Sequence, residues 1–557
     1  MALTTRGLGL RRLGGARLTA LTIAVVVALP IVVIVTTLGA DSGGLWQHLV
    51  STVLSRYLVN TLWLVGGVSV PWSALGVGSA WLVTACRFPG RAVFRWALLL
   101  PLAVPTYLSA YAYTDLLQFS GPVQSALRSA FGWQAGDYWF PAIRSLPGAV
   151  FVLASCLYPY VYLAARTAFT EQSVCTLEAG RTLGLDRWQC FLRLGLPLAR
   201  PSIAAGLALV LMETLAEFGA VQYFAVDTFS TGIYRTFTLP NEFALVAASQ
   251  LSICLLLLVL ILLAVETRAR RAARFHHTSS RYRAQTGWRL SGHWALLATA
   301  ACSLPVAAGF AVPFVVFATK SAVAGDSRAR ELFVEYGANS LTLAAAASVL
   351  AIVLALVMTL CQRIGKDRVI DASARWAGAG YAIPGGVIAV GILVVVTWLD
   401  RRLAAVRRLL FGSSGGLLLS GSPLAMLYGY QTRFLAVALQ FVQAGMSRIR
   451  PSFEDAARTL GATPVGLLRR VHLPLLRTTL LAGMILVFVD VIKELPATLI
   501  LRPFGYETLA VRVYQLASDE RLSEASTGRL AMVVLGMLPV LLLSRTMDRA
   551  DTEGGRS

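Results

Sequence analysis

The chain has 557 residues, 56% hydrophobic and 14% charged, with a mean hydropathy of +0.67. Soluble domains carry roughly a quarter charged residues, so this composition excludes an ordinary soluble protein and points to a polytopic membrane protein. The net charge of +21 does not signal nucleic acid, because lysine and arginine cluster between apolar runs in the positive-inside pattern.

Arg6, Arg11, Arg12 and Arg17 flank the start of an apolar run from Leu18 to Leu38. A cleaved signal peptide, with Gly39-Ala40 as its small residues, competes with a first span. The run is longer than the roughly 7 to 15 apolar residues of a signal, so it reads as an uncleaved span with the N-terminus inside. Apolar runs follow at 57–84, 94–114, 148–168, 203–225 and 244–265. Alternating sides puts Arg87, Arg91, the loop around Glu178 and the stretch 267–290 in the cytoplasm, with the loops 115–147 and 226–243 outside. Residues 266–293 form a strongly basic linker, which reads as solvated and held near anionic membrane lipid.

Beyond the linker the plan repeats, with runs at 294–318, 340–361, 375–399, 423–446, 479–501 and 528–544. Asn60-Thr61-Leu62 is echoed by Asn339-Ser340-Leu341, and Arg95-Trp96-Ala97 by Arg375-Trp376-Ala377. The expected fold is an all-α polytopic membrane protein of about 12 transmembrane helices in two parallel six-helix repeats. The halves are 1–265 and 294–557, joined by 266–293. An even number of spans per half gives both halves the same orientation, both termini a cytoplasmic location, and a pseudo-twofold axis along the membrane normal. Arg401, Arg402, Arg407 and Arg408 fall outside, against the charge rule.

Seven cysteines without metal-type spacing and five scattered histidines predict neither a disulfide framework nor a metal site. No GxxxxGK[ST] motif occurs, so the chain is not expected to bind or hydrolyse ATP. A membrane-embedded enzyme lacks support too, because no nucleophile, base or ligand cluster recurs at workable spacing, and no catalytic residue is predicted.

The sharpest repeat pairs EAGRTLGLDRWQCFLRLGLPLARP (178–201) with DAARTLGATPVGLLRRVHLPLLRT (455–478), offset by 277 residues without a gap. Ten of the 23 positions from Glu178 to Arg200 are identical, where chance gives about one or two. Internal duplication follows. Each copy reads as a short helix led by a carboxylate, a bend at Gly184 or Gly461, and an amphipathic helix closed by Leu-Pro.

Glu178, Ala179, Gly180, Arg181, Gly184, Leu196 and Pro197, and again Asp455, Ala456, Ala457, Arg458, Gly461, Leu473 and Pro474, carry a pattern that resembles the cytoplasmic-loop signature of permease subunits of binding-protein-dependent ABC importers. The resemblance implies the type I importer permease fold, in a bacterial cytoplasmic membrane. It also implies that each loop is a coupling helix docking on an ATPase, with two ATPase copies meeting the two loops. ATP would then be used by the partner ATPase, with no cofactor on this chain. Glu213–Phe237 and Phe488–Leu522 further resemble segments of fused ferric-iron permeases, with thiamine and phosphonate permeases left open. A periplasmic or lipoprotein substrate-binding protein is the implied second partner. Its docking surface is expected among Tyr223, Phe224, Asp227, Phe229 and Tyr234, and Tyr506, Glu507, Tyr514, Asp519 and Glu520, aromatic positions that also suit interfacial anchors.

Glu213 and Glu217, with Asp490, Lys493 and Glu494 in the second copy, lie in apolar runs. An ionised group at bilayer depth costs on the order of 3 kcal/mol or more, so these residues are expected to face a protein interior or a water path. Two readings stand: oxygen donors along a translocation path for a hard cation, or structural hydrogen bonds across the halves with Lys493 neutralising one carboxylate. Buried carboxylates would also suit proton relay in an ion-gradient-driven secondary transporter.

Overall fold

The computed structural model describes residues 2–553 apart from 135, 172–179, 181, 272–287, 324–326, 366, 413–417, 520 and 522–525. Among the described residues eight helices are long and apolar enough to cross a membrane: Gly14–Gly39, Leu54–Ala85, Leu146–Thr170, Trp188–Ala216, Ala244–Val265, His293–Ala322, Val334–Gly365 and Val465–Lys493. Two bent pairs raise the number to ten. Arg91–Ala103 meets Thr106–Phe131 at 91°, and Arg368–Ala382 meets Gly385–Phe411 at 116°. The other two expected runs are also helical. Leu424–Ser447 buries Gln431, Thr432 and Arg433, and Thr527–Leu542 is short. The fold is an all-α polytopic membrane protein.

The bends were expected as straight spans at 94–114 and 375–399. Pro105 and Pro384 explain the difference, since each precedes the second helix of its pair in an extended conformation. Proline lacks the N–H that a continuous helix needs and pushes its predecessor out of the helical region.

Packing divides the chain into two compact units that are not its two sequence halves. One gathers Met1–Trp46, Ile233–Ile253 and Arg330–Arg512; the other gathers Gln47–Gly232, Cys254–Ala329 and Val513–Ser557. We call them unit 1 and unit 2. In unit 1 the first helix, Ala2–Thr36, packs on Arg368–Ala377 and Gly385–Phe411. Tyr428 donates to the Val26 carbonyl at 2.6 Å, and Arg17 pairs with Asp367. A Cβ at Gly391 would sit 2.3 Å from the Pro30 carbonyl oxygen, so this helix crossing demands glycine.

In unit 2 the helix Leu54–Ala85 lies along Leu146–Glu171, and Leu196–Ala216 packs on both. Small residues set the approach: a Cβ at Gly206 would stand 2.9 Å from the Tyr160 carbonyl. The end of the basic linker is docked rather than solvated. Trp288 and Arg289 pair in parallel with Cys86 and Arg87, and the Trp288 ring lies 5.8 Å from that of Trp81. One tryptophan in a basic run supplies apolar area that outweighs solvation of its neighbours.

Candidate functional site

In the second copy of the repeated loop the short helix is Pro451–Thr459, with Asp455, Ala456 and Arg458 exposed. Arg458 reaches Asp455 at 3.0 Å and Glu454 at 3.3 Å. In the first loop Glu178, Ala179 and Arg181 lie outside the described residues. Gly180 is buried, and a Cβ there would fall 2.5 Å from the Leu194 side chain. Gly184 and Gly461 have φ of +82° and +79°, the left-handed region, so the repeated glycine is a backbone requirement of the bend.

The expected helix stop at Leu196-Pro197 and Leu473-Pro474 is corrected. Phe191–Gly195 and Leu468–His472 are π-helical turns, and they carry each amphipathic piece straight into Leu196–Ala216 and Leu473–Lys493. The wider turn absorbs the hydrogen bond that proline cannot make. Amphipathic piece and apolar span thus form one rod, Trp188–Ala216 in the first copy and Val465–Lys493 in the second.

A buried acid that the sequence reading missed holds the second loop in place. Glu454 is 4% exposed. It accepts from Arg363 Nε at 2.7 Å and lies 3.2 Å from His472 Nε2, while Arg363 also donates to the Ile449 carbonyl at 2.8 Å. Three segments meet on one carboxylate: the end of Ser327–Gly365, the helix Pro451–Thr459 and the π turn. The signal was available, since Glu454 stands beside Asp455 just ahead of the motif.

The intramembrane carboxylates mark helix breaks. The expected spans 203–225 and 479–501 stop being helical at Glu217 and Glu494, after Ala216 and Lys493. Each acid then caps the helix that follows: Glu217 Oε1 accepts from Ala220 N–H at 2.8 Å, and Glu494 Oε1 from Ala497 N–H at 3.1 Å. The other contacts differ. Thr106, first residue after the Pro105 bend, donates to Glu217. Glu494 pairs with Arg433 at 3.0 Å, with both side chains less than a tenth exposed. Lys493 has an electrostatic interaction with Asp490, one of the four carboxylates. Glu213 stays within the helix, half-buried. Pro496 and the lone Arg433 in an apolar run were the signals for this arrangement.

The loops after these breaks repeat as well. Asn60 Nδ2 donates to the Asp227 carbonyl at 2.9 Å and Asn339 Nδ2 to the Glu507 carbonyl at 3.2 Å. Phe229 N–H donates to Thr61 at 3.3 Å and Leu509 N–H to Ser340 at 2.7 Å. Asp227 and Glu507 thus have a structural task beside any role in docking. Among the described residues no group of three or more His, Cys, Asp or Glu gathers as metal ligands do.

Residues 73–272, which include the first copy of the repeated loop, match the family "Binding-protein-dependent transport system inner membrane component". This stretch belongs to that permease family. Similarity to permeases extends over both halves. The Fe(3+)-transport system permease protein FbpB 2 of Haemophilus influenzae is 22% identical over 503 residues, 88% of this chain and 90% of that relative. The molybdenum transport system permease protein ModB of Escherichia coli K12 is 34% identical over 145 residues, 26% of this chain and 60% of the relative. The sulfate transport system permease protein CysT of the same strain is 27% identical over 258 residues, 45% of this chain and 90% of the relative. Over most of its length the chain is thus similar to multi-pass ABC importer permeases.

Proposed function

We propose that this permease carries ferric iron, handed over by a substrate-binding protein and driven by a separate ATPase. The observation that carries the reading is the similarity to FbpB 2, which runs through both halves, whereas the molybdenum and sulfate relatives match one part. In this reading Glu178, Ala179, Gly180, Arg181 and Gly184, with Asp455, Ala456, Ala457, Arg458 and Gly461, form the docking bends for two ATPase copies. Leu196-Pro197 and Leu473-Pro474 lie on the rods that leave them, and closure of the ATPase pair would tilt each rod as a rigid body. The helix breaks at Glu217 and Glu494 line the translocation path, with Glu213, Asp490 and Lys493 one turn away or beside them. Both docking loops and both termini then lie in the cytoplasm.

A second reading is an oxyanion substrate, favoured by the higher local identity to the molybdenum permease. Proteoliposomes containing the chain, its genomic neighbour ATPase and binding protein separate the two. ATP-dependent accumulation of radiolabelled ferric iron, unaffected by excess molybdate, is the expected result. Accumulation of labelled molybdate or sulfate in its place overturns the iron assignment, and uptake driven by a proton gradient without ATPase overturns the ATP-driven reading.

A further inference from the structure

Unit 2 contains a buried arginine that none of the proposed machinery uses. Arg529, near the start of Ser526–Glu553, is 0% exposed. Its guanidinium lies 5.2 Å from the Tyr111 ring centre and 5.7 Å from that of Phe317, contacts that engage the π faces of those rings. The N–H donors are another matter. Nε, Nη1 and Nη2 make no hydrogen bond among the described residues, and neither do the buried hydroxyls of Tyr111 and Tyr223, whose rings meet edge to face at 4.5 Å.

Charge is unbalanced in the same direction. The carboxylate facing Arg529 is Asp115, at 3.7 Å, and it is already taken by Lys320 at 2.8 Å. Two cations share one acid, and Arg144 sits over the Tyr223 ring at 4.7 Å. A buried guanidinium with its donors unmet and its only carboxylate shared with a lysine is unfavourable. An acceptor-rich anion relieves both deficits at once. The edge of a guanidinium matches two oxygens of an oxyanion in a bidentate fork, and two phenol hydroxyls add further donors.

We infer that unit 2 binds one small oxyanion at this cluster, held by Arg529 with the hydroxyls of Tyr111 and Tyr223. The location suits a ligand arriving from the side opposite the first docking loop. Arg144 precedes the helix Leu146–Glu171, whose 26 residues span about 39 Å toward that loop. Asp115 and Lys320 lie near the ends of Thr106–Leu117 and Val312–Val323. The inference does not depend on the substrate assigned above: the oxyanion is either a transported solute or a resident ion.

Equilibrium binding to the full chain in lipid nanodiscs, with labelled sulfate, phosphate and hydrogen carbonate as probes, tests it without any ATPase. One saturable site is expected for at least one probe. The double variant Tyr111→Phe/Tyr223→Phe keeps both rings and should weaken that binding about tenfold or more. Arg529→Gln should abolish it, with the tyrosine variant guarding against a folding defect. No saturable binding of any probe, or equal affinity in the Tyr→Phe variant, overturns the proposal. ATP-driven accumulation of the bound probe inside proteoliposomes identifies a transported solute, whereas binding without accumulation identifies a resident ion.

Discussion

Glu217 in unit 2 and Glu494 in unit 1 occupy equivalent positions 277 residues apart, and both cap a short helix after a broken one. Their counter-groups are not equivalent. Glu494 is ion-paired with buried Arg433, whereas the residue 277 positions before Arg433 is Cys156, and Glu217 takes a hydroxyl from Thr106 instead. The duplicated geometry therefore serves two electrostatic settings. The backbone task, capping the helix, is common to both; the residue at the position of Arg433 is not. A buried acid fixed by an arginine is locked in its charged form by a partner whose removal strands it.

The largest test of this contrast is Arg433→Met, which leaves Glu494 buried without its cation and should cost about 3–5 kcal/mol. Chemical unfolding of the solubilised chain measures it, and adding Glu494→Gln should recover much of the loss. Thr106→Val removes a single hydrogen bond to a charged acceptor and should cost about 1.5–3 kcal/mol in the same assay. Equal losses from Arg433→Met and Thr106→Val would erase the proposed difference between the units. The smallest effects come from the conserved part of the duplication. Asn60→Ala and Asn339→Ala should each cost about 1 kcal/mol and agree within about 0.5 kcal/mol, since each removes a like bond to a loop carbonyl. A clear inequality there would mean that the loops after the breaks have diverged too.

What the sequence made legible was what it states twice. Gly184 and Gly461, the acid pairs and the Asn echoes repeat at nearly constant offset, and each has a matching local geometry. The breaks at Glu217 and Glu494 were less legible because hydropathy continues through them: Phe218, Ala220 and Val221 are as apolar as the helix they follow. Pro496 carried that information for the second break, as Pro105 and Pro384 did for the two bends, but a proline in an apolar run can also kink a helix or begin one. The Leu-Pro pairs misled for the same reason, since a π turn lets the helix pass through them. The ion pairs were illegible because they join distant segments. Arg433 and Glu494 are 61 residues apart, and Arg363 and Glu454 are 91 apart, with no periodicity to connect them.

The composition of the compact units gives the fused chain a purpose. Unit 1 takes Met1–Trp46 from the opposite end of the polypeptide, and unit 2 takes 254–329 and 513–557. Helices supplied by separate polypeptides would have to find their places by diffusion in the bilayer, at whatever abundance the cell happened to make them. A covalent tether holds each borrowed helix at a fixed, high effective concentration and at strict one-to-one supply. Translation of one message therefore delivers every helix of both units in equal number.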